Sequence, residues 1–159
     1  MSGAVILGML CAALGAYAAG HLRARCGYLR AWQRALMAMY AACAYARSSC
    51  AQILRAGAAE VGTLLPIARR VELEGADAEA LFAAQGRDRR LKGEEYRVLL
   101  AALRAVSRGT REEISQSLGF ALERFGAFCA DCDGKRQTDE RLYLTLGLLS
   151  GLCVFLILC

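Results

Sequence analysis

The fold is decided by the last third of the chain, Thr110–Cys159, which reads TREEISQSLGFALERFGAFCADCDGKRQTDERLYLTLGLLSGLCVFLILC. In its first half, apolar residues such as Ile114, Leu118 and Phe125 recur at spacings of three and four. This pattern predicts an amphipathic helix packed against a core. A short charged patch follows, where Gly134 predicts a kink or break, and the rest of the chain is uncharged after Arg141. The stretch therefore predicts a helix of a polar domain that leads into an apolar terminal run.

The opposite end of the chain has the mirror-image arrangement. Residues 1–22 (MSGAVILGMLCAALGAYAAGHL) are uncharged, and an Arg-rich segment follows them. About 20 helical residues cross a bilayer core, so 1–22 and 142–159 are predicted to be transmembrane helices. A cleaved signal peptide is the alternative at the N-terminus, but no Lys or Arg precedes the apolar run. A buried core helix is the alternative at the C-terminus.

Charge placement predicts the topology. Basic residues flank both apolar runs on the sides that lead into the central segment, 23–141, which the positive-inside rule assigns to the cytoplasm. We expect a multi-pass cell-membrane protein with two spans and both termini outside. The basic residues would form a collar against anionic headgroups, although snorkelling flank residues give the same pattern. This basic collar comprises Arg23, Arg25, Arg30, Lys135, Arg136 and Arg141.

Small residues recur at helical spacing in both apolar runs. Such residues let helix backbones approach closely inside a membrane, so the two segments are predicted to pack on each other or on another subunit. In an Ala-rich chain this spacing also arises by chance. The transmembrane packing residues are Gly8, Ala12, Ala16, Gly20, Gly147 and Gly151.

The central segment is predicted to be entirely helical. Leu22, Leu29, Leu36, Cys43 and Cys50 recur every seven residues, which predicts a helix that continues from the first apolar run through Cys50. Further helices are predicted at 64–73, 78–85 and 94–106, with Asp77 as a cap. A coiled coil is the alternative to a bundle. We predict an all-α, membrane-anchored antiparallel helical bundle of about five or six helices, with transmembrane helices at both ends.

The connection between the last two helices is the candidate partner-docking turn. It consists of Ser107, Arg108, Gly109 and Thr110, and Thr110 forms a predicted capping box with Glu113. The basic loop at 87–92 (RDRRLK) is not predicted to bind nucleic acid, because no aromatic or Gly-rich framework surrounds it.

Catalytic chemistry is not indicated. The single His, His21, lies at a predicted membrane edge, and no metal site, P-loop or nucleotide fingerprint is found. Three of the eight cysteines, Cys11, Cys153 and Cys159, lie in the apolar ends and are interpreted as small hydrophobic residues. The other five are interpreted as reduced thiols of a cytosolic domain, because disulfides are rare there: Cys26, Cys43, Cys50, Cys129 and Cys132. Cys129 and Cys132 have metal-ligand spacing but lack a second pair. We expect no enzyme activity, no cofactor, no metal and no small-molecule substrate.

Three segments match the pattern of a known family in order and spacing. AVILGMLCAALGAYAAGHLRARCGYLRAWQRAL corresponds to a membrane helix running into a charged helix, and YRVLLAALRAV to a Leu-rich helix. The chain end fits a motif Leu-Tyr-x-x-Leu-Gly-x-x-x-Gly through Leu142, Tyr143, Leu146, Gly147 and Gly151. Over almost its whole length, the chain resembles the stage III sporulation protein AB family of endospore-forming bacteria.

The chain departs from the family pattern at the docking turn. Members commonly carry Leu-Gly-x-Ser-Asp-x-x-x-Gln there, whereas this chain has VSRGTREEI. Ser107 takes the place of the Gly, Gly109 of the Ser, Thr110 of the Asp and Ile114 of the Gln. Thr110 keeps the capping chemistry, but a contact made by the family's Asp or Gln would be lost.

The resemblance implies a role in the complex that joins mother cell and forespore. The family's cytosolic domain is similar to the helical domains of type II secretion and pilus inner-membrane platform proteins. The implied partners are the channel ATPase, stage III sporulation protein AA, other membrane components of the complex, and the lipid bilayer, with no nucleic acid.

Two other interpretations remain open at this point. One is a generic two-span membrane protein outside sporulation, with a regulatory or adaptor role. Transport is disfavoured, because it requires polar residues inside the spans, and those identified there are not ionisable at neutral pH: Ser2, Tyr17, Tyr143, Thr145 and Ser150. The other is a redox or metal protein that uses Cys129 and Cys132.

Overall fold

A computed structural model describes residues 2–45, 48–86 and 88–158. Within helices, the side chains of residues 2–9, 11, 12, 45, 140, 143, 144, 147, 148, 151, 152 and 154–158 lie outside that description. The described residues form six α-helices and no strand, which confirms the predicted all-α class. The helices are α1 (Ser2–Tyr45), α2 (Cys50–Ala58), α3 (Leu64–Glu74), α4 (Ala78–Ala84), α5 (Gly93–Arg108) and α6 (Arg111–Leu158).

The chain divides into two compact units. The first unit contains residues 1–27 and 130–159, and the second contains residues 28–129. Helices α1 and α6 contribute to both units, whereas α2 to α5 belong to the second unit alone.

The predicted transmembrane ends are not supported by the structure. Among the described residues, no helix combines the length and the apolar character that crossing a membrane requires. The spans predicted at 1–22 and 142–159 correspond to the first part of α1 and the last part of α6.

The first helix ends earlier than the seven-residue repeat predicts. Leu29, Leu36 and Cys43 are buried as expected, but α1 ends at Tyr45, and Cys50 begins a separate helix. A capping box provides the physical reason. The Ser49 hydroxyl accepts from the Gln52 N–H, and the Ser49 N–H donates to the Gln52 side chain at 2.9 Å. These bonds start a new helix at a position where the hydrophobic repeat alone predicts continuation.

The short helices of the second unit begin and end close to the predicted residues. The helix predicted at 64–73 ends at Glu74, where Gly75 adopts a left-handed φ of 64°. The Asp77 carboxylate caps α4 by accepting from the Glu79 N–H at 3.0 Å. Gly86, with φ of 80°, follows α4. Glycine adopts these backbone angles without the steric cost that a side chain would add.

Helix α6 is continuous through Gly134, so the kink or break predicted there does not occur. Its first residue, Arg111, satisfies carbonyl groups at the end of α1. The guanidinium donates to the Cys43 carbonyl at 2.9 Å and to the Ala44 carbonyl at 3.1 Å. The last carbonyls of a helix have no intrahelical donor, so these bonds join the end of α1 to the start of α6.

The core of the second unit is built from all six helices. Trp32 of α1 packs edge-on against Phe82 of α4, with ring centroids 5.7 Å apart. Phe82 in turn stacks on Tyr96 of α5. Around them lie aliphatic and aromatic side chains that are at most 1% exposed: Leu29, Leu36, Met39, Leu54, Leu64, Ile67, Leu99, Leu118 and Phe125.

In the first unit, two cysteines are bonded to each other rather than reduced. Cys26 of α1 and Cys132 of α6 form a disulfide, with Cα atoms 5.8 Å apart and both side chains buried. The interpretation of these residues as free thiols is therefore wrong. The two helices bring positions 106 residues apart in sequence within disulfide range, which no local sequence pattern reveals. Cys43, Cys50, Cys129 and Cys153 are free thiols.

Candidate functional site

The α5–α6 connection is a tight, geometrically constrained turn. Ser107 and Arg108 are the last residues of α5, Gly109 follows the helix, and Thr110 precedes α6. A Cβ atom on Gly109 would lie 2.6 Å from the Ala105 carbonyl oxygen, closer than real Cβ contacts come. Glycine is therefore required here by close approach of the backbone rather than by its φ of −82°.

Hydrogen bonds hold both sides of this turn. The Thr110 N–H donates to the Glu113 carboxylate at 2.7 Å, and the Thr110 hydroxyl accepts from the Glu113 N–H at 3.4 Å, as the predicted capping box requires. On the other side, the Ser107 hydroxyl accepts from the Ala78 N–H at 3.0 Å. The turn is thus fixed to the start of α4 as well as to α6.

Two ion pairs join α5 to the N-terminal end of α4. The Arg104 Nε donates to the Glu79 carboxylate at 2.8 Å, and the Arg108 Nε donates to the Asp77 carboxylate at 2.9 Å. The guanidinium side chains are 66% and 69% exposed, whereas the Glu79 and Asp77 side chains are only 17% and 22% exposed. The exposed part of each pair is therefore its cation.

The pairing changes how these groups titrate. The hydrogen bond from Arg108 lowers the pKa of Asp77 from its usual 3.8, and the hydrogen bond from Arg104 lowers the pKa of Glu79 from its usual 4.5. The same Glu79 bond raises the pKa of Arg104. A carboxylate whose pKa falls on folding stabilises the protein above its usual pKa, and that stabilisation is lost as pH falls through the folded-state value.

Asp77→Asn is expected to reduce the loss of unfolding free energy that occurs as pH falls below neutral. Asn still caps a helix, so the variant removes mainly the charge that Arg108 holds. At neutral pH we expect a loss of about 1 kcal/mol or less, because the Arg108 side of the pair is exposed. Urea unfolding measured between about pH 6 and pH 2 should show a smaller decrease in the free energy of unfolding for the variant than for the wild type. Glu123→Gln, which removes an exposed carboxylate of α6 outside these pairs, is the control and should leave that drop intact.

An open groove of about 620 Å³ runs along the turn between α5 and α6. Its α5 side carries Ala101, Ala105 and the two guanidinium groups, and its α6 side includes Phe120, which is 59% exposed. Arg108 and Gly109 of the predicted docking turn therefore line a groove, while Ser107 and Thr110 hold its end in place. The groove lining is Ala101, Arg104, Ala105, Arg108, Gly109, Glu113, Gln116, Ser117 and Phe120.

The basic-collar residues fall in different units. Arg23, Arg25, Lys135, Arg136 and Arg141 belong to the first unit, and Arg30 belongs to the second. Lys135 donates to Asp131 on its own helix at 2.7 Å. In the first unit, Arg23 and Arg25 precede Cys26, and Lys135 and Arg136 follow its disulfide partner Cys132, so four basic residues lie within one to two turns of the disulfide.

The first unit also exposes two apolar stripes at helical spacing. On α1 they are Leu10, Leu14 and Tyr17, with exposures of 54%, 68% and 74%. On α6, Leu142, Leu146 and Leu149 are 51% to 58% exposed. Spacings of four and three place each set on one helix face. Large apolar faces exposed in this way mark contacts with a partner or a lipid phase.

The predicted transmembrane packing residues are only partly described. Ala16 and Gly20 are exposed on α1, and no atom lies within 4 Å of a Cβ placed on Gly20. The side-chain positions of Gly8, Ala12, Gly147 and Gly151 lie outside the described residues.

Among the described residues, no three His, Cys, Asp or Glu side chains come together as a ligand set for a metal ion. Cys132 is engaged in the disulfide, so it is unavailable as a thiolate partner for Cys129. Glu95 is 3% exposed and uses its carboxylate to accept from the Lys92 N–H at 2.6 Å, which gives it a structural role at the start of α5.

Comparison with known families accounts for the whole chain. The model of the family described as stage III sporulation protein AB matches residues 1–159. The chain belongs to this family. The protein is therefore a sporulation protein, and the family is one of structure and assembly rather than a known enzyme family. Comparison with the curated proteins gave no match, and comparison with the solved structures gave none either.

Several features of this sporulation protein escape reasoning from sequence. The ion pairs of Arg104 with Glu79 and of Arg108 with Asp77 join residues 25 and 31 positions apart. Each Arg lies at a regular helix position, and Asp77 carries a capping signal, but no local pattern pairs the two segments. The open groove likewise brings together residues of two helices, such as Ala101 of α5 and Phe120 of α6, which no local pattern pairs.

Proposed function

We propose that this protein is a non-catalytic membrane scaffold of the channel between mother cell and forespore, where it docks a cytosolic ATPase to the membrane complex. The exposed apolar stripes on the two helices of the first unit carry the proposal. A stable water-soluble domain does not gain from exposing two such stripes, whereas a lipid phase or neighbouring membrane helices would cover them.

Charge and composition support membrane attachment at the same ends. Residues 1–22 and 142–159 carry no formally charged side chain, and basic residues adjoin both runs. Each Lys or Arg near an anionic surface contributes about 1 kcal/mol. The proposed arrangement has both termini outside and residues 23–141 in the cytoplasm, with the basic collar at the headgroups. Close packing of the end helices would use the small residues named above.

The second unit supports the docking part of the proposal. Its side chains form a closed core, and the charged groups at the α5–α6 turn serve capping and pairing rather than any recognisable reaction. A surface whose charged groups are held in caps and ion pairs is suited to holding a partner. The docking turn of Ser107, Arg108, Gly109 and Thr110 is the proposed contact region.

Co-purification from membranes of sporulating cells tests this function. The tagged full-length protein should sediment with membranes, resist extraction by high salt, and recover the channel ATPase and other membrane components after detergent solubilisation. Substitution of Arg108 and Thr110 should reduce ATPase recovery while membrane sedimentation is unchanged. Arg55→Gln, which removes an equivalent exposed ion pair with Glu72 away from the turn, is the matched control.

Three outcomes would count against parts of the proposal. Extraction by salt alone would contradict anchoring by the apolar ends. Recovery of no sporulation-channel component with the intact protein would leave a general membrane adaptor as the better description. Unchanged recovery in the Arg108 and Thr110 variants would place the ATPase contact elsewhere.

A further inference from the structure

The groove between α5 and α6 is lined on its α5 side by small residues. Ala101, Ala105 and Gly109 follow each other at intervals of four residues on its α5 side. Their small side chains allow another backbone to approach closely over a length of about 12 Å, or two helical turns. Because the groove is open rather than enclosed, an elongated segment fits it better than a small molecule does.

The exposed wall of the groove is apolar. Phe120 of α6 lines it and is 59% exposed, although aromatic side chains of this unit such as Trp32 and Phe125 are at most 1% exposed. Exposed aromatic side chains beside a groove are favourable anchors for a binding partner, because their burial releases a large apolar area from water. The occupant should therefore offer an aliphatic or aromatic side chain to Phe120.

The polar groups of the α5 side favour carboxylates. Arg104 and Arg108 lie one helical turn apart, a rise of about 6 Å. Each uses its Nε and Nη2 atoms on a carboxylate at the N-terminal end of α4, either Glu79 or the cap residue Asp77, and neither Nη1 takes part in those bonds. The carboxylates behind them hold the two guanidinium groups in place, which lowers the entropy cost of a further bond. A second carboxylate can pair with the remaining donors of each guanidinium.

The α6 side of the groove carries one carboxylate, that of Glu113. The Glu113 carboxylate accepts from the Thr110 N–H, so it serves the cap of α6. Gln116 and Ser117 are neutral. An acidic segment therefore finds its attractive contacts on the α5 wall, where both guanidinium groups are exposed, and its carboxylates must lie on that side rather than beside Glu113.

We propose that this groove binds an amphipathic helix of a partner protein, with two Asp or Glu residues one turn apart beside an apolar stripe. The proposal rests on the scaffold function, because it assigns the docking surface and the chemistry of the docked segment. The carboxylates pair with Arg104 and Arg108, and the apolar stripe packs on Ala101, Ala105 and Phe120. This is the helix-in-groove mode of recognition, with charge setting the register.

Site-specific photo-crosslinking in sporulating cells tests the proposal. A photoreactive amino acid replaces Gln116 in the groove or, as the control, exposed Arg69 on α3 of the full-length protein. We expect a crosslink from position 116 only. Mass spectrometry of the crosslinked peptide should identify a helical segment with two acidic residues four positions apart.

Substitutions at the groove provide the second readout. The double variant Arg104→Gln, Arg108→Gln should reduce the crosslink by about tenfold or more, the effect of losing two charge-assisted contacts. Phe120→Ser should reduce it comparably. Arg55→Gln should leave the yield unchanged. Circular dichroism melting of each variant verifies that the domain remains folded. If the arginine double variant unfolds, it is replaced by Arg108→Lys, which keeps the charge but loses the planar donors.

The outcomes separate this proposal from the scaffold function. Crosslinking to a second copy of the chain, to lipid, or to a basic or unpatterned segment would overturn the proposed occupant. Absence of a crosslink while channel components still co-purify would overturn the groove and leave the scaffold function standing. Absence of both would overturn the two together.

Discussion

Cys26→Ala is expected to lower the free energy of unfolding by about 3 kcal/mol, and by up to about 5 kcal/mol. The Cys26–Cys132 bond closes a loop of 106 residues that contains the whole second unit. A disulfide stabilises mainly by restricting the unfolded chain, and its effect grows with loop length. Because the loop includes two thirds of the protein, few other single changes should affect the unfolded ensemble as strongly.

A cysteine mutant cycle isolates the bond from the packing of its thiols. Cys26→Ala, Cys132→Ala and the double variant should lose nearly the same stability, because either single change already removes the disulfide. A reductant should lower the melting temperature of the wild type and leave all three variants unchanged. Cys50→Ala, which removes a free thiol of α2, is the control. Additive losses from the two single variants, or a wild-type melting temperature insensitive to reductant, would contradict this prediction.

The same bond also bears on the proposed location of the central domain. Disulfides persist in oxidising compartments and are usually reduced in the cytosol, whereas the basic collar favours a cytoplasmic position. Arg23, Arg25, Lys135 and Arg136 lie within one to two turns of the bonded cysteines, so both arguments concern the same part of the chain. Thiol trapping in intact cells, compared with trapping after denaturation, would report the state of the pair directly.

Much of the fold follows from local chemistry. The apolar spacing of α6, the Asp77 cap and the Thr110–Glu113 box identify helices and their starts, because each depends on residues within four positions of one another. Helix α1 was harder to delimit. Its seven-residue repeat favours continuation through Cys50, and only the short-range bonds of Ser49 with Gln52 start a second helix.

Features that depend on the packing of distant segments were not predictable in this way. The disulfide, the α4–α5 ion pairs and the Arg111 bonds to the end of α1 each join residues at least 25 positions apart. The docking turn was identifiable by its length and capping signal, but the groove beside it was not. Its volume depends on the small side chains of Ala101 and Ala105 facing a neighbouring helix.

Trp32→Ala is expected to cost about 3 to 5 kcal/mol of stability. Trp32 is 1% exposed and contacts the rings of both Tyr28 and Phe82, so its truncation leaves a large cavity at the centre of the second unit. Met37→Ala is the matched control on the same helix. Met37 is 53% exposed, and its loss should change stability by less than about 1 kcal/mol.

Trp32→Phe separates the contribution of the aromatic ring to stability from that of the indole N–H. The Trp32 Nε1 is buried and has no acceptor in hydrogen-bond geometry. A buried, unpaired N–H carries a desolvation cost, so Phe removes that cost while it keeps most of the apolar contact. We expect Phe to lose only about 1 to 2 kcal/mol. Urea unfolding should be followed by circular dichroism, because Trp32 is the only tryptophan. If Phe were as destabilising as Ala, the N–H would be making a bond that contributes to the fold, and the ring alone would not explain the role of this residue.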